Sequence, residues 1–229
     1  MNQIRNCVPF LMSFLSPVKV EERKGVVTPR LEVCLSKGRY VLDAGRVNYS
    51  FGGLHAVFRK VFSRFDIRKR DIGNALILGF GAGSVARILC DEYKKTIHLT
   101  GVEKDPVVIE LARKYFQIDR YKNLSLHTED AGDFVERCDQ TFDLVVVDIF
   151  VGIDVPQEFR EEKFLAALGR LLSARGIVFV NVVVYDEKVR AACASLFERM
   201  EKLVGKTKFF RIIFRRTENW IFVCDRTKP

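Results

Sequence analysis

The chain has 229 residues, a formal net charge of +9 at pH 7 and 48% hydrophobic residues, which together predict one globular domain with an appendage. No apolar run approaches the roughly 20 residues that cross a bilayer, so no transmembrane segment is expected. The six cysteines are scattered without a C-x-x-C pair. Their spacing is typical of reduced thiols in a cytoplasmic protein, not of a disulfide framework or a metal site.

Residues 1–70 form the first predicted unit, a β-rich extension that leads into a helix. The stretch from Cys7 to Val18 is apolar but contains two prolines and lacks a small-residue cleavage site. We therefore expect a docked segment, with contact to a membrane surface as the alternative. The other predicted elements are two antiparallel strands at Leu31–Leu35 and Arg39–Leu42, a turn at Tyr49–Gly53 and a helix at Leu54–Phe65.

Residues 71–229 form the second predicted unit, in which strands and helices alternate as in a parallel sheet covered on both faces. The predicted strands are Ala75–Leu78, Ile97–Val102, Leu124–Thr128, Leu144–Val147 and Ile177–Val182. The predicted helices include one capped by Asp105-Pro106, one at Lys163–Ser173 that Gly176 stops, and one at Asp186–Leu203. The last predicted element is an antiparallel hairpin of Lys208–Arg216 and Trp220–Cys224, joined by Thr217–Asn219.

A glycine-rich turn after the first of these parallel strands is the most informative motif. It reads Gly79-Phe-Gly-Ala-Gly83-Ser84, so its spacing is G-x-G-x-G and not the G-x-G-x-x-G of dinucleotide-binding proteins. Glu103 ends the next strand, where a carboxylate can accept hydrogen bonds from ribose hydroxyls. Glycines that admit a ligand close to the backbone, followed by this acid, predict a site for an adenosine-containing cofactor.

Carboxylates also follow the third and fourth of these strands. Asp130 can accept the exocyclic amino group of an adenine, or it can cap a helix that starts at Ala131. Asp148 ends the fourth strand. Because ligands of open α/β sheets bind beyond the carboxyl ends of the strands, we expect these side chains and the glycine turn to line one pocket.

With this glycine spacing and the terminal hairpin, the chain resembles the spermidine synthase-like branch of class I S-adenosylmethionine-dependent transferases. The resemblance implies an α/β fold with a Rossmann-like, mostly parallel seven-stranded sheet, a C-terminal antiparallel hairpin and a short N-terminal β-rich extension. It implies Asp148 as the catalytic residue, while the scattered cysteines and the three histidines predict no metal. The cofactor-binding residues that it implies are Gly79, Gly81, Gly83, Ser84, Glu103, Lys104, Asp130, Ala131 and Asp148.

Two departures from the family's pattern bear on the reaction. Aminopropyltransferases of the family carry D-x-x-D-P after the fourth strand; here Asp148 is kept, Val151 replaces the second acid and Asp154 lies further along. The segment from Tyr49 to His55 lacks the family's usual carboxylates. Since a polyamine is a polycation, the sequence favours methyl transfer from S-adenosylmethionine over aminopropyl transfer from decarboxylated S-adenosylmethionine. A catalytically silent cofactor-binding module is the third alternative.

The remaining signals leave the methyl acceptor, a small molecule or a macromolecule, unidentified. His55 is either a general base or a structural residue at a helix start, and Asn181 and Tyr185 are candidates to line the acceptor pocket. Basic clusters at 59–70 and 206–216 predict a solvated surface or an acidic or phosphate-bearing partner, although no aromatic-basic motif supports nucleic acid. Related enzymes often pair, so a homodimer is a further expectation.

Overall fold

The computed structural model describes residues 8–44, 47–150, 155–214 and 217–227, which form two sheets and the helices around them. The strands are β1 (Val18–Arg23), β2 (Leu31–Ser36), β3 (Arg39–Ala44), β4 (Val47–Ser50), β5 (Asn74–Leu78), β6 (His98–Glu103), β7 (Leu124–Thr128), β8 (Phe142–Val147), β9 (Leu172–Val184), β10 (Thr207–Phe214) and β11 (Thr217–Asp225). The helices are α1 (Gly53–Arg64), α2 (Ser84–Ala86), α3 (Pro106–Phe116), α4 (Ala131–Arg137), α5 (Glu162–Leu171) and α6 (Glu187–Leu203). A π-helical turn at Arg87–Glu92 continues α2, and 3-10 turns lie at Ile118–Arg120 and Gln157–Arg160.

The larger sheet has seven strands in the order β10-β11-β9-β8-β5-β6-β7. Strands β5 to β9 run parallel to one another, and β11 is antiparallel to both β9 and β10. The central strands β5 and β8 are almost fully buried, as strands covered by helices on both faces must be. The predicted fold class is confirmed, a Rossmann-like sheet that ends in an antiparallel hairpin.

The smaller sheet is antiparallel, in the order β1-β2-β3-β4. The two predicted strands are its centre, β2 and β3. The sequence did not predict strand β1, because its residues, Val-Lys-Val-Glu-Glu-Arg, are mostly charged and exposed. The predicted turn at Tyr49–Gly53 is too long: β4 continues to Ser50, and the chain reverses at Phe51 and Gly52, both with positive φ.

The core is continuous across the two predicted units. The helix α1 buries Val57, Phe58, Val61 and Phe62, and the ring of Phe62 meets that of Phe179 in β9 edge to face, with centroids 5.0 Å apart. Aromatic pairs in this arrangement add to the free energy of simple burial. The division at residue 70 therefore separates two sheets that share one apolar cluster, and a domain boundary there stays a prediction.

Two predicted boundaries in the second unit are wrong. Gly176 does not stop a helix, because α5 ends at Leu171 and β9 begins at once. An irregularity in the β8–β9 ladder falls here, and a Cβ on Gly176 would press on the Leu172 side chain. The predicted link Thr217–Asn219 belongs to β11, where Thr217 pairs with Phe214 and Asn219 with Val183.

The N-terminal segment is attached to the small sheet through Ser13. The Ser13 carbonyl oxygen accepts from the Lys37 N–H at 2.8 Å, and its hydroxyl accepts from the Gly38 N–H at 2.9 Å. Residues 8–12 are helical, and Cys7 lies outside the described residues. Within the described ranges, no helix combines the length and the apolar character that a bilayer crossing requires.

Asp105 joins the N-terminal unit to the large sheet. Its buried carboxylate caps α3 as predicted, with Oδ1 accepting from the Val107 N–H at 3.0 Å. Its Oδ2 accepts from the N–H groups of Val27 and Thr28 at 3.0 and 3.2 Å. One side chain thus satisfies three backbone donors from two distant parts of the chain.

We expect Asp105→Ala to lower the free energy of unfolding by about 3 kcal/mol, because a helix cap and two loop donors lose their acceptor. Urea denaturation followed by circular dichroism measures this change. The matched control is Asp119→Ala, since that carboxylate is exposed and pairs with Arg113 at the surface; it should change stability by less than about 0.5 kcal/mol. Equal losses in the two variants would contradict the anchoring role.

Candidate active site

The glycine turn lies against the end of β8. Gly79, Gly81 and Gly83 have φ values of 79°, 55° and 88°, in the left-handed region that favours glycine. The Gly79 N–H donates to the Val102 carbonyl at 2.9 Å. A Cβ on Gly79 would overlap the carbonyl oxygen of Asp148. Only glycine lets the turn pass this close to the ends of β6 and β8, the two strands that pair with β5.

Glu103 supports the turn from the end of β6. Its carboxylate is buried, with 3% of the residue exposed. Oε2 accepts from the Gly81 N–H at 2.9 Å, and Oε1 accepts from the Asp105 N–H at 3.0 Å. Burial raises the pKa of Glu103 above its usual range. Because a carboxylate offers about four lone-pair sites, each oxygen can accept one further hydrogen bond.

Asp130 follows β7 and performs the helix-capping role that the sequence allowed. Oδ1 accepts from the Gly132 N–H at 2.7 Å, at the start of α4, and Oδ2 pairs with Lys104 Nζ at 2.9 Å. Burial alone would raise the pKa of Asp130, but these two hydrogen bonds hold it below its ordinary value. Ala131 is the first residue of α4, and its small side chain leaves room beside this pair.

Asp148 has the opposite environment. Its Oδ1 accepts from Asn181 Nδ2 at 2.8 Å, and no cation pairs with it among the described residues. Burial, with a smaller contribution from the Glu103 charge, raises the pKa of Asp148 to about 7, against the pull of the Asn181 hydrogen bond. Asn181 Oδ1 is buried and has no partner in the described part of the chain. The amide therefore keeps an acceptor available beside the carboxylate.

These groups line one cleft with about 520 Å³ of empty space. Of the predicted site residues, the cleft wall includes Gly79, Glu103, Lys104, Asp130, Ala131 and Asp148. Gly81 contributes through its N–H bond to Glu103, whereas Gly83 packs against Ile118 and Phe80. The Ser84 hydroxyl accepts from the Phe51 N–H at 2.7 Å and lies 2.9 Å from the Ser50 hydroxyl. Ser84 therefore ties α2 to the end of β4, and its contact with a cofactor stays a prediction.

Sequence reasoning missed the apolar wall of the cleft. Ile149 and Phe150 line it directly after Asp148, and Phe159 comes from the 3-10 turn. Val27 reaches the cleft from the loop between β1 and β2. A signal existed for Ile149 and Phe150, which follow a strand end; none existed for Val27, which the fold brings from the N-terminal unit.

Two other candidates, His55 and Tyr185, stand apart from the cleft wall. His55 Nε2 lies 2.7 Å from Glu92 Oε1, its Nδ1 is buried without a partner among the described residues, and burial lowers its pKa. Neither His55 nor Tyr185 lines the cleft. Val151 and Asp154 lie outside the described residues.

Comparison with known proteins places the chain in one family. The model of the spermine/spermidine synthase domain matches residues 67–209. A polyamine aminopropyltransferase of Vibrio vulnificus is 35% identical over 109 residues, 46% of this chain and 36% of that protein. An eEF1A lysine and N-terminal methyltransferase homolog of Drosophila melanogaster is 32% identical over 132 residues, 53% of this chain and 20% of that protein. The matches thus span about a third of the length of the Vibrio protein and a fifth of the length of the Drosophila protein.

A probable spermidine synthase from Corynebacterium glutamicum has a similar crystal structure. Its TM-score is 0.67 at 19% identity, with 90% of this chain and 79% of that chain covered. This similarity supports the fold.

We expect Asp148→Asn to raise the melting temperature at pH 8. The folded-state pKa of about 7 lies above the ordinary 3.8, so unfolding releases a proton between these values and stability falls as pH rises through that window. Above pH 7 the folded protein carries the full cost of a buried charge, which the amide removes while it keeps an acceptor for Asn181.

Scanning calorimetry at pH 8 and pH 5 checks this, with about 2–4 °C expected per kcal/mol for a chain of this size. The gain in melting temperature of Asp148→Asn should be smaller at pH 5, where the native carboxyl group is already protonated. The exposed Asp139→Asn serves as control and should shift neither melting temperature. A gain that is equal at both pH values would contradict the assignment.

Proposed function

The chain belongs to the spermine/spermidine synthase domain family, and we propose that it transfers a methyl group from S-adenosylmethionine to a nucleophile. The observation that carries this proposal is the state of Asp148. It is a half-buried carboxylate whose pKa is raised to about 7, held by an amide and free of any cation among the described residues. Such a group can take a proton from a nucleophile near neutral pH.

The other half of the cleft offers partners for an adenosine. A ribose beside the glycine turn could donate its hydroxyls to the remaining lone pairs of Glu103. Asp130 and Ala131 stand at the next strand end, where the carboxylate is ionised and the neighbouring side chain is small. The apolar residues Ile149, Phe150 and Phe159 offer a surface for a flat ring. S-adenosylmethionine would supply an electrophilic methyl group on a positively charged sulfur.

The charges of the cleft support methyl transfer over polyamine synthesis. Asp130 is already paired with Lys104, and Glu129 with Arg137. Glu103 is committed to backbone N–H groups. A long polycation would therefore meet three carboxylates that already have partners and an ammonium group on one wall. Glu158 also lines the cleft and forms no ion pair among the described residues, so it is the acid most open to a cationic acceptor. A single base suits an acceptor that presents one reactive nitrogen.

Aminopropyl transfer is the second candidate function. The match to the Vibrio vulnificus aminopropyltransferase is the observation in its favour. The two reactions differ in the cofactor carboxylate, which S-adenosylmethionine carries and its decarboxylated form lacks. Binding of the two compounds therefore separates the candidates before any acceptor is known.

We expect Glu103→Gln to weaken S-adenosylmethionine binding by about 10-fold or more. The amide can accept at only one atom, so it loses a charge-assisted hydrogen bond to the ribose and forfeits a backbone N–H partner. Isothermal titration calorimetry measures the affinity, with the exposed Glu110→Gln as a matched control. Equal affinity in the two variants would place the cofactor elsewhere, and tight binding of the decarboxylated compound alone would reverse the choice of reaction.

The transfer itself can be assayed with S-adenosylmethionine or its decarboxylated form and two acceptors, putrescine and a lysine-containing peptide with a free N-terminus. We expect methylated peptide by mass spectrometry, with a rate that rises with pH through about 7. Asp148→Asn should lower the rate by about 100-fold or more and abolish this pH dependence. Asp139→Asn should do neither. Aminopropylated putrescine would overturn the proposal, and cofactor binding without any product would favour the silent module.

A further inference from the structure

A second concave surface lies away from the cleft, along α1. It has about 980 Å³ of empty space that is open to solvent. Its lining residues, called the basic groove here, are Ala56, Arg59, Lys60, Ser63, Asp66, Arg68, Lys69 and Tyr93. Four cations face one carboxylate across this space. About 500 Å³ of this space can be reached by a water-sized molecule, which is in the range of pockets that hold small organic ligands.

The helix spacing of α1 builds one wall of the groove. Ala56, Arg59, Lys60 and Ser63 recur at the i, i+3, i+4, i+7 positions that share one helix face. The opposite face of α1 is buried, so this stripe is held toward solvent. The segment after α1 supplies Arg68 and Lys69 as the second wall.

The cations of the groove have few partners of their own. Arg59 pairs through Nε with Glu92 Oε2 at 2.9 Å, which leaves its terminal amino groups without a hydrogen bond among the described residues. Lys60, Arg68 and Lys69 form no ion pair within the described ranges. Cations gathered in a concave surface attract anions more strongly than the same charges spread over a convex one.

Tyr93 gives the groove a different character from a plain basic patch. The sequence showed no aromatic-basic nucleic-acid motif, and Phe62 and Phe65 within the basic cluster are buried, but the fold brings Tyr93 from the end of the π-helical turn into the groove. Part of the ring packs on the apolar core, and the residue is half-buried. An aromatic ring fixed among cations is the combination that binds a base and its phosphate together.

We propose that the basic groove binds single-stranded nucleic acid, with a base stacked on Tyr93 and the flanking phosphates bound by Lys60, Arg68 and Lys69. The ligand chemistry is that of a nucleoside phosphate, and the free mononucleotide is the second source of that chemistry. This binding is independent of the transfer reaction proposed for the cleft.

Fluorescence anisotropy with a labelled 12-nucleotide single-stranded RNA tests the proposal. We expect binding that weakens as salt rises, because phosphate contacts release counterions. The Lys60→Ala/Arg68→Ala variant should weaken binding by about 10-fold or more, with the logarithmic salt slope reduced by about 0.7 for each lost contact. The charge-matched control is Lys122→Ala/Lys188→Ala, two exposed lysines outside the groove, and it should change binding by less than about 2-fold.

The aromatic contribution is read from a pair of variants. Tyr93→Phe keeps the ring and should bind like the native chain, whereas Tyr93→Ala should bind at least about 5-fold more weakly. Circular dichroism and the melting temperature show that each variant keeps its fold. Equal losses of RNA affinity in the groove variant and the control variant would overturn the proposal. So would an affinity loss in Tyr93→Phe as large as that in Tyr93→Ala.

Competition identifies the ligand class. Duplex RNA of the same length, adenosine monophosphate and polyglutamate are added as unlabelled competitors. We expect the single strand to compete far better than the duplex or the mononucleotide. Polyglutamate competing as well as the single strand would show a site for acidic proteins and overturn the proposal. The mononucleotide matching the strand would assign the groove to a small nucleotide instead.

Discussion

A single buried carboxylate holds the parts of the cleft together. Glu103 accepts from the N–H of Gly81 in the glycine turn and from the N–H of Asp105 beyond β6. Asp105 then accepts from Val27 and Thr28 in the loop that precedes β2. Two acids in series therefore join three segments that are distant in sequence. Burial raises the pKa of Glu103, and the backbone donors around it offset that cost.

The cleft separates two kinds of carboxylate. Asp130 accepts from a lysine and a helix N-terminus, and its pKa is lowered. Asp148 is half-buried with a single amide donor, and desolvation raises its pKa to about 7. Carboxyl groups whose environments push their pKa values apart are suited to different roles. The ionised acid is fitted to recognition, and the acid near neutrality is fitted to proton transfer.

The sequence predicted those parts of the structure that depend on local patterns. Continuous apolar runs marked the central strands β5 and β8, and the glycine turn and strand-end acids marked the cleft. It failed where a long-range contact overrides a local signal. Gly176 reads as a helix stop, but pairing with β8 extends β9 back to Leu172. The hydrogen bond between Asn181 and Asp148 joins residues 33 positions apart, and no local pattern connects them.

Local sequence patterns do not predict the basic groove either. Its cations and its tyrosine are separated in the chain, and the π-helical turn brings them together. This turn ends at Glu92, which binds both His55 and Arg59 of α1, and the next residue is Tyr93. His55 is thereby engaged in fixing α1 against the turn, which argues for the structural interpretation over a general base. The contacts that fix His55 also set the distance between the cations of α1 and the tyrosine ring. A surface arranged in this way is ordered before any ligand arrives, so binding there loses less conformational entropy than on a mobile basic segment.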